Sequence, residues 1–225
     1  MKNIKKMVYG MLLIMFIIIF LLSLYNVLIY FLDKKENVEI LQNISNYIGD
    51  YNNVNSGTKI DVGIDFDSLK KINSDTIGFI DLNETDVKFV VVKGNDNDYY
   101  LTHNFYKKNN KSGWIFADYK NKIDGSDKNI VIYGHNMKNG SMFNNIKSYT
   151  DQSFADEHPY VYIYLPDGTV SQYKVVVGHI ISESSVLYST QIVDTASFVQ
   201  EMVKTSSIKV DFDQSQVQSV ITLST

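Results

Sequence analysis

Residues 129–149 read NIVIYGHNMKNGSMFNNIKSY, and their pattern decides what kind of fold this is. Asn129 to Tyr133 form a short apolar, β-branched run, which is the signature of a buried strand. Gly134 interrupts it, and His135 stands where the strand gives way to a loop. Rigid strand ends are places where catalytic groups are held. From the pattern alone, His135 fits a structural hydrogen-bonding histidine as well as a catalytic one. The following GSMFNNIKSYTD, residues 140–151, reads as a helix.

Working outward, the same two-residue period recurs. TIGFIDL (76–82) and VKFVVVKG (87–94) are strand-like runs separated by Asn-Glu-Thr-Asp. GNDNDYYLTHNF (94–105) reads as a turn and then a strand; its acidic start lacks the ligand spacing and closing Glu of a calcium loop. YVYIYLPDGTVSQYKVVVGHIIS (160–182) is a hairpin, with Pro and Gly where a turn needs them. TASFVQEMVKTS (195–206) places Phe198, Val199, Met202 and Val203 on one helical face. SVITLST (219–225) reads as a strand again. DFDSLKKIN (65–73) predicts a short helix with an Asp cap. Many short strands with interspersed helices predict a mostly β, barrel-like domain rather than a doubly wound sheet.

The N-terminus is different in kind. Lys2, Lys5 and Lys6 precede the uncharged run MVYGMLLIMFIIIFLLSLYNVLIYFL, residues 7–32. At about 1.5 Å per residue it exceeds the roughly 30 Å hydrocarbon core, so it predicts one transmembrane helix rather than a cleaved signal. Lysines before the span favour a cytoplasmic N-terminus and an extracellular remainder. NVEILQNISNYIGDY (37–51) predicts an amphipathic helix, and NNVNSGTK (52–59) a linker. The expected organisation is a cytoplasmic tail (1–6), an anchor (7–32), a juxtamembrane helix and linker (33–65) and a globular domain (66–225).

Composition narrows the chemistry. The net charge is −4, which gives no basic surface for nucleic acid. There is no Cys, and every one of the 21 positive residues is Lys, so no disulfide, thiolate ligand or guanidinium exists in these 225 residues. The four His, His103, His135, His158 and His179, make no HExxH pattern or short ligand spacing, so no metal and no cofactor are expected.

YLTHNFYKKNNKSGWIFADYKN (100–121), NIVIYGHNMKNGSMFNNIKSY and the final ITLST resemble the class B sortases, membrane-anchored cysteine transpeptidases of Gram-positive bacteria. The resemblance starts near Leu69, includes LKKINSDTIGFIDL, and runs to Thr225. It implies a sortase β-barrel with N-terminal helices. It also implies a reaction: a Cys attacks the Thr carbonyl of a surface protein's C-terminal sorting motif, and the thioester is resolved by an amine of the peptidoglycan bridge peptide. His135 matches the family's catalytic His, and Asn104, Tyr133 and Ser224 match positions near its substrate groove. In the family a Cys directly follows TLST, and an Arg lies on the next strand. The chain as given is therefore expected to be C-terminally truncated, to lack the final barrel strand and to be inactive. A fragmentary record, a UGA codon read as selenocysteine, or a true stop would each give that end. A non-catalytic, membrane-anchored sorting-peptide-binding or scaffold protein is the alternative. A Ser224 hydrolase is a weaker one, since Ser needs an adjacent base.

Overall fold

The computed structural model describes residues 2–49, 63–182 and 188–225. The expected linker at 52–59 lies outside them. The chain divides into two compact units, one up to Ile40 and one from Leu41 to Thr225.

The apolar run lies in one uninterrupted helix, α1 (Lys2–Ser45), which takes in residues 37–45 of the expected amphipathic helix; residues 46–49 are no longer helical, and 50–51 lie outside the described residues. No Pro or Gly breaks the junction at Asp33-Lys34-Lys35-Glu36, and Lys35 pairs with Glu39 one turn on, so the helical ladder continues. Large apolar side chains are exposed around the whole circumference of 7–32, with Phe16 73% exposed. A helix that is hydrophobic all round is built for an apolar surrounding. By length and composition, α1 is long and apolar enough to cross a membrane.

In the second unit, α2 (Phe66–Ile72) begins where Asp65 accepts a hydrogen bond from Ser68 N, and it buries Phe66 and Leu69. Among the described residues seven strands follow: β1 (Thr76–Leu82), β2 (Lys88–Val92), β3 (Phe116–Ala117), β4 (Asn129–Tyr133), β5 (Tyr160–Tyr164), β6 (Val170–Lys174) and β7 (Val220–Ser224). They form one sheet in the order β6-β5-β1-β2-β3-β4-β7. The β2–β3 and β4–β7 pairs are parallel and the others antiparallel. The helices α3 (Gln152–Glu157) and α4 (Thr195–Lys204) start at Asp151 and Asp194, whose carboxylates accept from Phe154 N and Ser197 N. The core is aromatic and β-branched: Phe79, Ile80, Val90, Val92, Trp114, Phe116 and Val131 are all within 2% of complete burial.

The mostly β barrel expected from the sequence is present, and the 160–182 hairpin is β5–β6, with Gly168 at φ 81 in its turn. One local expectation fails. Residues 94–105 hold a 3₁₀ turn (Tyr99–Leu101) and a tight loop instead of a strand. There the Asp96 carboxylate accepts from Asp98 N and Tyr99 N, and the Asn104 side chain from Tyr106 N and Lys108 N, drawing the backbone away from a ladder. The expected helix after His135 is a 3₁₀ helix (Asn144–Thr150).

Among the described residues the barrel is not sealed: β6 and β7 are the two edges of the sheet. The edge strands β6 and β7 both line a groove of about 780 Å³, together with Tyr149, Val177, Val199 and Met202. An open apolar seam between unpaired edges favours association between copies. Residues 36–225 expressed without the anchor are expected to aggregate. Size-exclusion chromatography and a thermal melt check this; a monodisperse, cooperatively melting sample would contradict it.

Candidate active site

The site forms where β4 and β7 end side by side. Their parallel register runs Asn129↔Val220 through Tyr133↔Ser224, and Gly134 N donates to Ser224 O at 3.0 Å. Gly134 has no alternative here: a Cβ would stand 2.3 Å from Ile115 Cδ1 and 2.8 Å from Phe143 Cγ. His135 comes next. Its carbonyl accepts from Met137 N and Phe143 N, both at 3.1 Å, which fixes the main chain beneath the ring. Its Nε2 lies 2.8 Å from the Leu101 carbonyl oxygen. That oxygen has no proton to give, so Nε2 carries the hydrogen.

Tyr133 closes the other side of the strand end. Its hydroxyl donates to Asp118 Oδ2 at 3.0 Å, and its ring lies 5.3 Å from Phe116 and 6.3 Å from Tyr188. Burial, and then the Asp118 carboxylate, push the Tyr133 phenol well above the usual tyrosine range. Asp118 is itself 5% exposed and also accepts from Asn97 Nδ2 and Lys120 N. Removing the hydroxyl by Tyr133→Phe leaves this buried carboxylate one donor short. The expected loss is about 1–3 kcal/mol of stability, read by denaturant melts.

Ser224 Oγ donates to Tyr188 Oη at 3.3 Å. No hydrogen bond joins Ser224 to His135 among the described residues, so the base that a serine nucleophile needs is not in place. Asn104 makes no hydrogen bond to the other three among the described residues. It is fully buried in its own turn, where its Oδ1 accepts from Tyr106 N and Lys108 N, while its Nδ2 is buried without a partner among the described residues. Of the four residues singled out in the sequence, the fold brings Tyr133, His135 and Ser224 to one place. Asp118, Tyr188 and the Leu101 carbonyl complete it; Leu101 and Asp118 lie in the 100–121 stretch without standing out there, and Tyr188 lies in no motif. Metal-ligating clusters are absent among the described residues.

The loop bearing Leu101 is held from below. Tyr100 Oη donates to Asp75 Oδ2 at 2.7 Å, Lys107 Nζ pairs with the same oxygen at 2.9 Å, and Asn73 Nδ2 donates to the Phe105 carbonyl at 2.9 Å. Burial alone would raise the Asp75 carboxyl, but the Tyr100 and Lys107 hydrogen bonds outweigh it and hold it below its ordinary 3.8. A carboxyl depressed on folding adds stability above its unfolded value and loses it as pH falls through the folded one. Melting temperatures of Asp75→Asn, measured from neutral pH downward, should therefore converge on those of the native chain below pH 3.8. An unchanged gap across the acid range would contradict this.

Comparison with known proteins gives the arrangement its class. The sortase-domain family model matches residues 80–225, more than half of the chain, which therefore belongs to the sortase family. Its relatives are class B sortases. Sortase B of Listeria monocytogenes is 34% identical over 166 residues, covering 70% of this chain and 65% of that protein's length. The crystal structure of Clostridium perfringens sortase B superposes with a TM-score of 0.62 at 32% identity, over 67% of this chain and 85% of that one. A Bacillus anthracis protein described as similar to sortase B superposes with a TM-score of 0.71 over 85% of this chain and 91% of that one; at 24% identity it supports the fold alone.

Proposed function

We propose that this chain carries the acid–base and substrate-groove half of a class B sortase active site. On this reading, α1 anchors the protein by a single pass with its N-terminus in the cytoplasm, and the domain from residue 66 onward works outside a Gram-positive cell. Its partners are surface proteins with a C-terminal sorting motif and the amine of a peptidoglycan bridge peptide.

The observation that carries the proposal is the β4–β7 register. Tyr133 faces Ser224 in the last pair of the register, and the same register continued by two places along each strand would set His135 against the position following Thr225. A Cys at that position, where the family motif places it, would have His135 beside it. The thiolate sulfur would attack the Thr carbonyl carbon of the sorting motif, and the amide bond to the next residue would break. His135 would hand a proton to the leaving amine, then take one from the incoming amine as the thioester is resolved. Tyr133, Ser224 and the apolar groove beside β7 would bind the motif, with Asn104 shaping the loop next to it.

The 225 residues hold neither Cys nor Arg and should not transpeptidate by themselves. The test is mass spectrometry of the chain continued through a Cys and an Arg-bearing strand, incubated with a sorting peptide and a glycine amine. A thioester adduct resolved by the amine is expected. Peptide binding without any adduct would favour the binding-protein alternative.

A further inference from the structure

The group that orients a catalytic imidazole is commonly a carboxylate on its second nitrogen. At His135 that place is taken by the main chain: the Leu101 carbonyl, 2.8 Å from Nε2. Leu101 closes the 3₁₀ turn Tyr99–Leu101. Around it, Trp114 N donates to Tyr100 O at 2.9 Å, and Asn110 N to Thr102 O at 2.8 Å. Both bonds draw the 110–114 segment against this turn, and between them lies Gly113 at φ +56. A Cβ on Gly113 would come within 2.3 Å of Tyr100 O and 2.8 Å of Leu101 O. Nδ1 of His135 has no hydrogen-bond partner among the described residues, and it is not sealed from solvent.

We propose that the Leu101 carbonyl is the orienting partner of His135, and that Gly113 is the positioning residue that lets this carbonyl reach the ring. The carbonyl accepts only from a protonated Nε2, so it locks the neutral ring as the Nε2–H tautomer and leaves Nδ1 as the nitrogen that takes and gives the proton. It does so without adding a charge beside the ring, and the carbonyl accepts from Nε2–H in both the neutral and the cationic imidazole. Gly113 is needed because any other residue would meet both strain at a positive φ and contact with the Leu101 carbonyl. This proposal rests on the reading of His135 as the proton-transferring group.

The test uses ¹⁵N-histidine-labelled full-length chain in detergent micelles, at alkaline pH where imidazoles are neutral. There are four His, and His135→Gln assigns the relevant ring by difference. A single Nε2–H tautomer is expected for His135, with a ring proton protected from exchange. Gly113→Ala, if it still melts cooperatively, should speed exchange of that proton by about tenfold, the weight of one hydrogen bond. Should Gly113→Ala fail to fold, the α-hydroxy analogue of threonine at position 102 replaces it; the resulting ester weakens the Leu101 carbonyl as an acceptor without adding an atom, and faster exchange is again expected. An Nδ1–H or mixed tautomer in the native chain, or an unprotected ring proton, would overturn the proposal. So would a folded variant whose melting falls while the His135 proton stays protected. These readouts concern geometry alone: a lack of transfer by the Cys-continued protein would sink the functional reading and leave this one standing.

Discussion

Replacing His135 with Ala in the Cys-continued protein is expected to lower peptide transfer by about 10²- to 10⁴-fold, the range for losing a positioned general acid–base group. The loss should fall on turnover rather than on peptide affinity. The groove is lined by β7, Tyr149, Tyr173, Val177, Tyr188 and their neighbours, and His135 is not part of its wall. The ring is held at its end by Leu101 and by the strand β4, neither of which needs the peptide. Steady-state kinetics of His135→Ala, with peptide affinity measured separately by fluorescence anisotropy, check the split. Equal losses in both would mean that His135 acts as a binding residue.

The second large effect is on stability. Trp114 is 1% exposed, its indole Nε1 donates to the Val90 carbonyl at 2.8 Å, and its ring meets Phe89 edge-on at 5.8 Å and Phe105 at 5.6 Å. It thereby joins β2 to the loop that carries Leu101. Trp114→Ala removes the whole indole, opens a cavity and leaves Val90 O without that donor. The expected cost is about 3–5 kcal/mol, a large share of the roughly 5–15 kcal/mol that holds a domain folded. Denaturant melts check it. Trp114→Phe should recover most of the packing but not the hydrogen bond, so it should fall between the two. A loss under about 1 kcal/mol in Trp114→Ala would show that the 99–114 loop is not tied to the core in this way.

What could be read in the sequence was what is local. β1, β2, the β5–β6 hairpin and α4 each carry their own period and turn residues, and the fold reproduces them. β3 was not readable because it has two residues, Phe116 and Ala117, and exists through its pairing with β4 and β2. The 94–105 loop was misread because Asp96 and Asn104 bond their own backbone, an outcome that apolar periodicity does not register. The same limit applies to the site. His135, Tyr133 and Ser224 stood out at strand ends within recognisable motifs. Asp118 and Tyr188 meet them across 15 and 36 residues of sequence, and a main-chain acceptor such as Leu101 O has no residue type to mark it. Asn104 is divided: its Oδ1 is spent on its own turn, while its Nδ2 is buried without a partner among the described residues.

The central claim is that β7 delivers the reacting position to His135. Disulfide trapping tests it most directly, because these 225 residues hold no Cys to interfere. His135→Cys is combined with a Cys added directly after Thr225, and the purified protein is treated with a mild oxidant. Register neighbours on adjacent strands lie about 5 Å apart at Cα, within the 4.4–6.8 Å that a disulfide spans. The account predicts near-complete intramolecular disulfide, seen as a loss of two hydrogens by mass spectrometry, with little when the first Cys is placed at Lys138 instead. Trapping that is absent at position 135, or no better there than at 138, would contradict it.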